Sequence, residues 1–313
     1  MPRPVRFLAL CVLGALFAAG SARALIVFDY SSVVNNRFSS GFPGTPVENT
    51  SPSFIGAGYD FSGVGWQTGS SDFAVTMISP QNFITARHVA PANGSSVSFL
   101  NDDGVLKNYT VASTSTITYN GPGGPSDLIV GTLTSPISAA DHIASYSILY
   151  LGTPLTSLNL NGYTQLSLLS YGKTGRVGTN TIDGFANGDL YPLNNPDGVT
   201  DSLYFYTDYD STAGQSQAET GDSGSPTFAT IGGQLTLVGV HSSVGTINGN
   251  PNPLTFDNFL AWPSILQQIA GITGNSGQNT SLYVVNAIPE PSAYALLAGL
   301  ATLGLIALRR RIF

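Results

Sequence analysis

Between Leu25 and Leu254 apolar residues rarely recur at the three-to-four spacing of an amphipathic helix. They gather instead in short runs of Val, Ile, Leu, Phe and Tyr, each closed by Gly, Pro, Asn or Asp. Such runs predict strands, and the absence of helical periodicity predicts an all-β fold. Strands are expected over Phe73–Ile78, Asn82–Ala86, Ser96–Leu100, Leu128–Leu133, Ser147–Leu151, Leu166–Tyr171, Leu203–Thr207, Thr227–Thr230 and Leu235–His241. One helix is expected, Trp262–Ile272, with Pro263 at its start and Gly271 near its end.

Both ends depart from this pattern. Arg3 and Arg6 precede an apolar run, Phe7–Ala19, and small residues close on Ala22-Arg23-Ala24. This is the order of a secretory signal peptide, residues 1–24, cleaved after Ala24. The other end reads Pro289-Glu290-Pro291, an apolar stretch Ala293–Leu308, then Arg309, Arg310 and Arg311. By its physics it is a short membrane segment with a basic cytoplasmic end. The three parts resemble the PEP-CTERM sorting signal of Gram-negative bacteria, over residues 289–313. That resemblance implies transient anchoring in the inner membrane, processing by an exosortase partner, and delivery to the cell envelope or extracellular matrix.

Charge and cysteine narrow the class of the exported part. Residues 25–288 carry five basic and seventeen acidic side chains, a net charge of −12 with neutral histidines. So acidic a domain is a poor partner for nucleic acid or anionic lipid. Cys11, the only cysteine, leaves with the signal peptide, so stability must come from a core rather than from disulfides. The length suits one large or two small β-domains. Residues 25–53, rich in Ser, Asn, Pro and Gly, read as an extended arm or pro-like segment. Residues 276–288 read as a linker, although "LYVVNAI" could supply an edge strand.

Candidate chemistry begins at "TGDSGSP", Thr220–Pro226. A hydroxyl is a poor nucleophile unless a base lies beside it and an acceptor orients that base. The chain has three histidines, His88, His142 and His241; His88 ends the apolar run "FITARH". Asp127 opens "SDLIVGTL", at the mouth of an apolar strand. Ser223 lies between Gly221 and Gly224, which permit a tight backbone and bring main-chain N–H groups toward a reacting carbonyl oxygen. "NDDG" (Asn101–Gly104) and "DYDSTAG" (Asp208–Gly214) lack full calcium-loop spacing, so no metal and no cofactor are expected.

Together "ISPQNFITARH", "SDLIVGTL" and "TGDSGSP" resemble the chymotrypsin-like serine proteases of the trypsin family. The order His, Asp, Ser, with separations of 39 and 96 residues, is the family's own. "LSLLSYGKTG", "LTLVGVHSS" and "FLAWPSILQQIAG" extend the resemblance over about residues 54–272. It implies two packed antiparallel β-barrels, residues 54–145 and 146–275, with a short closing helix. It further implies Ser223 as nucleophile, His88 as general base and Asp127 as its orienter. The N–H groups of Gly221 and Ser223 would form the oxyanion hole. The partner is then a protein or peptide substrate, met by Gln217, Thr220, His241, Ser242 and Val244.

Three departures leave questions. Gln217, at the pocket floor, removes the anchor for Arg or Lys. His241 matches the pocket histidine of glutamate-specific members, so an acidic preference stands beside a small or apolar one and beside the reading of His241 as a buried strand histidine. Asp222 is the residue that pairs with a new N-terminus in zymogen-activated members. The cut after Ala24 leaves Leu25-Ile26-Val27, whereas the barrels align from about Phe54; internal hydrogen bonds at Asp222 are the other route. Two functions follow: an exported serine endopeptidase, or a non-catalytic protease-like binding or matrix module.

Overall fold

The structure, a computed structural model, describes residues 24–118, 125–156, 158–187, 203–246, 252–275, 277 and 279–285. The leading segment forms β1 (Ile26–Val27), a helical turn α1 (Ser32–Asn35), β2 (Phe38–Ser40) and β3 (Val47–Glu48). Next come β4 (Val64–Gln67), β5 (Ala74–Met77), β6 (Asn82–Ala86), β7 (Ser96–Leu100), β8 (Leu106–Thr118) and β9 (Pro125–Leu133). These six close a barrel in the order β4-β5-β6-β9-β8-β7, and every neighbouring pair is antiparallel.

The runs on β6 and β9 are apolar on both faces because each face meets a different core. Side chains alternate across a strand. Phe83 and Ile129 point into the barrel with Val75, Met77, Val97 and Phe99. Ile84, Leu128 and Val130 point the other way, into a larger core shared with Leu169, Phe228, Val240 and Phe259 of the second half. β6 and β9 are paired in register, Phe83 opposite Gly131 and Ala86 opposite Leu128. A side chain at 131 would overlap the Phe83 ring, so glycine there lets the strands pack this closely.

The second half contains β10 (Ile148–Tyr150), α2 (Leu160–Tyr163), β11 (Ser167–Tyr171), β12 (Val177–Thr181), β13 (Gly184–Asn187), β14 (Leu203–Asp208), β15 (Ser216–Gln217), β16 (Pro226–Ile231), β17 (Gln234–Gly245) and β18 (Leu254–Phe259). The helix α3 (Pro263–Asn275) and β19 (Leu282–Val284) end the described chain. The sheet runs β12-β11-β16-β17-β18-β14-β13, with β10 beside β17 and β19. Among the described residues it curls without closing, so the all-β expectation holds with one closed barrel and one curled sheet. β10 also differs from the antiparallel expectation, since it lies parallel to both β17 and β19.

Residues 25–53 are more firmly built in than their composition suggests. Leu25, Val27 and Phe38 are buried, and β1 pairs with β15, Ile26 opposite Gln217. Arg37 is buried too, donating to the carbonyls of Val64 (2.9 Å) and Leu100 (3.2 Å) on the first barrel. Beside it Phe38 stacks on Phe42, and Trp66 meets both rings edge-on or tilted. Few apolar residues suffice here because Leu25, Val27 and Phe38 are each buried against residues far along the chain, while Val33 and Val47 stay exposed.

Candidate active site

Three elements converge where the barrel meets the curled sheet. β6 delivers the chain to Ala86, and the tight turn Arg87–Val89 then lifts His88 toward the second half. Asp127 sits on β9 one residue before Leu128, the partner of Ala86, so strand register alone sets it beside His88. Ser223 lies on the loop between β15 and β16. The Ser223 Oγ to His88 Nε2 distance is 2.9 Å, and His88 Nδ1 lies 2.9 Å from both Asp127 oxygens.

Asp127 is fully buried, and its carboxylate is surrounded by donors. Besides the ring, the His88 main-chain N–H donates to Oδ1 at 3.0 Å and Ser242 Oγ–H donates to Oδ2 at 2.5 Å. Asn258 Nδ2–H donates to the Asp127 carbonyl at 2.8 Å. A carboxylate can only accept, so His88 carries its proton on Nδ1, and Nε2 is left as an acceptor facing the Ser223 hydroxyl. The arrangement can therefore draw a proton from Ser223 as its oxygen attacks, and hold the resulting imidazolium against Asp127.

The serine loop owes its shape to two glycines with positive φ, Gly221 at 95° and Gly224 at 82°. A Cβ on Gly224 would overlap Thr85 Oγ1 and crowd the Ala74 carbonyl, so the loop rests directly on the first barrel. Among the described residues nothing accepts the N–H of Gly221 or of Ser223. Between them Asp222 is buried, accepting the N–H groups of Lys173 (2.7 Å) and Glu219 (2.6 Å). Burial pushes its carboxyl up to about 6, against the pull of these N–H groups, His241 and Lys173. Leu25, fully buried, packs on Gly172, where a Cβ would meet both Leu25 Cβ and Asp222 Oδ1.

The residues expected to meet substrate are distributed around this loop. Thr220 is exposed, Gln217 is half-buried on β15, and Val244 is exposed near the end of β17. Ser242 is turned inward to Asp127. His241 is buried: its Nδ1 meets Asp257 Oδ1 at 2.5 Å, and Thr227 Oγ–H donates to Asp257 Oδ2 at 2.5 Å. Burial opposes charge on this ring, but Asp257 outweighs it and raises the His241 pKa above its ordinary value. Its Nε2 is buried without a hydrogen-bond partner.

Asn258, Asp257 and Lys173 were not identifiable from sequence. The first two lie in "FDNF" on β18, where neither spacing nor composition marks a role. Lys173 follows Tyr171-Gly172, a turn visible in sequence, but its side chain reaches a carbonyl 47 residues away. Among the described residues no three His, Cys, Asp or Glu side chains are grouped to hold a metal ion. In "NDDG" the Asn101 oxygen accepts the Val105 N–H, and Asp103 meets His142 Nδ1.

The family model of the PEP-CTERM protein-sorting motif matches residues 287–311. That motif marks proteins of Gram-negative bacteria for export through a membrane-anchored stage and for exosortase processing. Pro289, Glu290 and Pro291 fall inside the match; they and residues 1–23 of the signal segment lie outside the described residues. Among the described residues no helix is long and apolar enough to cross a membrane. No curated protein matches the chain. The structure is similar to human heparin binding protein at 13% identity and a TM-score of 0.47, covering 69% of this chain and 92% of that one.

Proposed function

We propose that the chain is an exported serine endopeptidase in which Ser223 is the nucleophile, His88 the general base and then acid, and Asp127 the orienting carboxylate. The observation that carries this reading is the continuous hydrogen-bond chain from Ser223 Oγ through His88 to a fully buried Asp127. Attack of Ser223 Oγ on a peptide carbonyl forms the tetrahedral intermediate as His88 takes the hydroxyl proton. The N–H groups of Gly221 and Ser223 receive the new oxyanion. Collapse breaks the C–N bond, the same proton passes to the leaving amine, and water repeats the sequence on the acyl-enzyme.

The substrate is a protein or peptide whose backbone lies along the exposed end of β17 at Val244, with Thr220 at the rim. His241 is buried against Asp257, behind Ser242 and Val244 on the same strand. Its charge is already matched by that carboxylate, so it offers no net attraction to an acidic side chain. A small or apolar preference is the reading this favours, and Gln217 gives no anchor to a basic one.

Treating the exported full-length protein with a fluorophosphonate tests the assignment. Labelling is expected at Ser223 and lost in Ser223→Ala and His88→Ala. Folded protein that takes no Ser223-dependent label would instead be a non-catalytic module. Profiling of cleaved peptides then tests the pocket: a dominant Glu or Asp preference that disappears in His241→Ala would overturn the apolar reading.

A further inference from the structure

Lys173 is a buried cation, its side chain 6% exposed, in a chain with few basic residues. Burying an ammonium is costly unless something close compensates it. The nearest carboxylate oxygen, the buried Oδ1 of the otherwise part-exposed Asp72, is 3.5 Å away, whereas the Thr220 carbonyl oxygen lies only 2.6 Å from Nζ. The short contact therefore goes to the serine loop rather than to an opposite charge. The main-chain N–H of the same residue donates to Asp222 Oδ1 at 2.7 Å. One residue thus grips the loop on both sides of Gly221.

Gly221 itself is enclosed by this grip. A Cβ there would lie 2.6 Å from Lys173 Nζ and 2.9 Å from its Cδ, so the lysine stem packs on the Gly221 Cα. The Gly221 carbonyl is held from the first barrel by the Phe73 N–H at 3.1 Å, and Phe73 adopts a φ of 63° to supply it. The peptide units before and after Gly221 are consequently each fixed by a donor outside the loop.

From this we infer that Lys173 is the positioning residue of the oxyanion hole. The inference rests on the protease reading given above. In a planar trans peptide the C=O and the following N–H point in opposite directions. Holding the Thr220 oxygen against Nζ therefore fixes the direction of the Gly221 N–H. The ammonium does a second thing: a charged donor on the carbonyl polarises the amide, making its N–H a stronger donor to a developing oxyanion. Without the lysine, the Thr220–Gly221 peptide is free to rotate and the hole loses one of its two donors.

The test compares Lys173→Met, Lys173→Gln and Lys173→Arg with the unaltered full-length protein, using a peptide substrate and the matching peptide aldehyde. The aldehyde forms a hemiacetal with Ser223 whose oxygen requires the hole. Losing an oxyanion donor outright costs about 10²–10³ in kcat, so Lys173→Met, which loosens one donor, is expected to lower kcat roughly 10–100-fold. Aldehyde affinity should fall in parallel, with KM changed less than about threefold. Lys173→Gln, which keeps a neutral donor, should fall between, and Lys173→Arg should recover most of the loss. The inference is overturned if folded Lys173→Met or Lys173→Gln keeps kcat and aldehyde affinity, or if only KM rises. Should Lys173→Met fail to fold, Lys173→Gln and Lys173→Arg decide by the same measures. Absence of turnover and of Ser223 labelling in the unaltered protein would overturn the protease reading itself, and this inference with it.

Discussion

The two sides of the candidate site are held in place by different physics. His88 and Asp127 belong to a closed barrel, where backbone register between β6 and β9 sets their separation. Ser223 belongs to a loop whose conformation depends on positive-φ glycines, a buried Asp222 and a buried Lys173. The first arrangement is made of main-chain ladders and apolar packing, which vary little with pH or small changes in charge. The second uses groups that titrate or can lose a partner. A site assembled from both should fail in distinguishable ways.

The largest effect should come from the reacting groups themselves. Ser223→Ala and His88→Ala should each lower kcat by as much as about 10⁶ while leaving thermal unfolding nearly unchanged, by analogy with the cost of removing such groups elsewhere. Next come paired glycine substitutions that separate the two sides. Gly224→Ala forces a side chain into Thr85 at a positive φ, so activity should nearly vanish, with a stability loss of about 1–3 kcal/mol. Gly131→Ala crowds Phe83 inside the barrel and should cost a similar amount of stability. The folded fraction of that variant should keep most of its activity per molecule. Equal specific activities in the two variants, measured by active-site titration, would remove the distinction between the sides.

The loop side should also respond to pH. The Asp222 carboxyl is raised from 3.8 to about 6, so the folded chain binds this proton more tightly than the unfolded chain. Its contribution is therefore greatest below about pH 4 and falls as pH rises toward 6, by roughly 3 kcal/mol at about 1.4 kcal/mol per pH unit. Urea unfolding across this window should show the decline in the unaltered protein and not in Asp222→Asn. His241, whose pKa is raised by Asp257 above its ordinary 6.5, adds a second decline above that pH. The smallest effect is expected from Ser242→Ala, which removes one of several donors to Asp127. A hydrogen bond to a charged group is worth about 1.5–3 kcal/mol, and with the remaining donors still holding Asp127 kcat should fall by about the lower end of that range, roughly tenfold.

What could be read from sequence follows the same division. Strands whose residues are buried on both faces, such as Asn82–Ala86, announced themselves as short runs rich in aromatic and β-branched residues and appear with the same limits in the structure. β8 escaped notice because its sequence, "LKNYTVASTSTIT", is largely polar and exposed; ladders to β7 and β9 hold it instead. The residues His88, Asp127 and Ser223 carry local signatures, strand ends and glycine-flanked turns, and the fold brings them together. Lys173, Asp257 and Asn258 carry none, since each acts through a contact created only by tertiary packing. The burial of Leu25 and Phe38 was hidden for the same reason: their neighbours include Asp222's loop and Trp66, which sequence proximity does not reveal.

Asp127 is bound from both halves of the molecule, by His88 on one side and by Ser242 and Asn258 on the other. Those last two residues lie 115 and 131 positions further along the chain. A polypeptide threaded across a membrane from its N-terminus delivers the base and its carboxylate first, and the groups that lock them in place much later. On the proposed endopeptidase reading, the Ser223–His88–Asp127 chain is therefore complete and locked only once the later half of the polypeptide has been delivered.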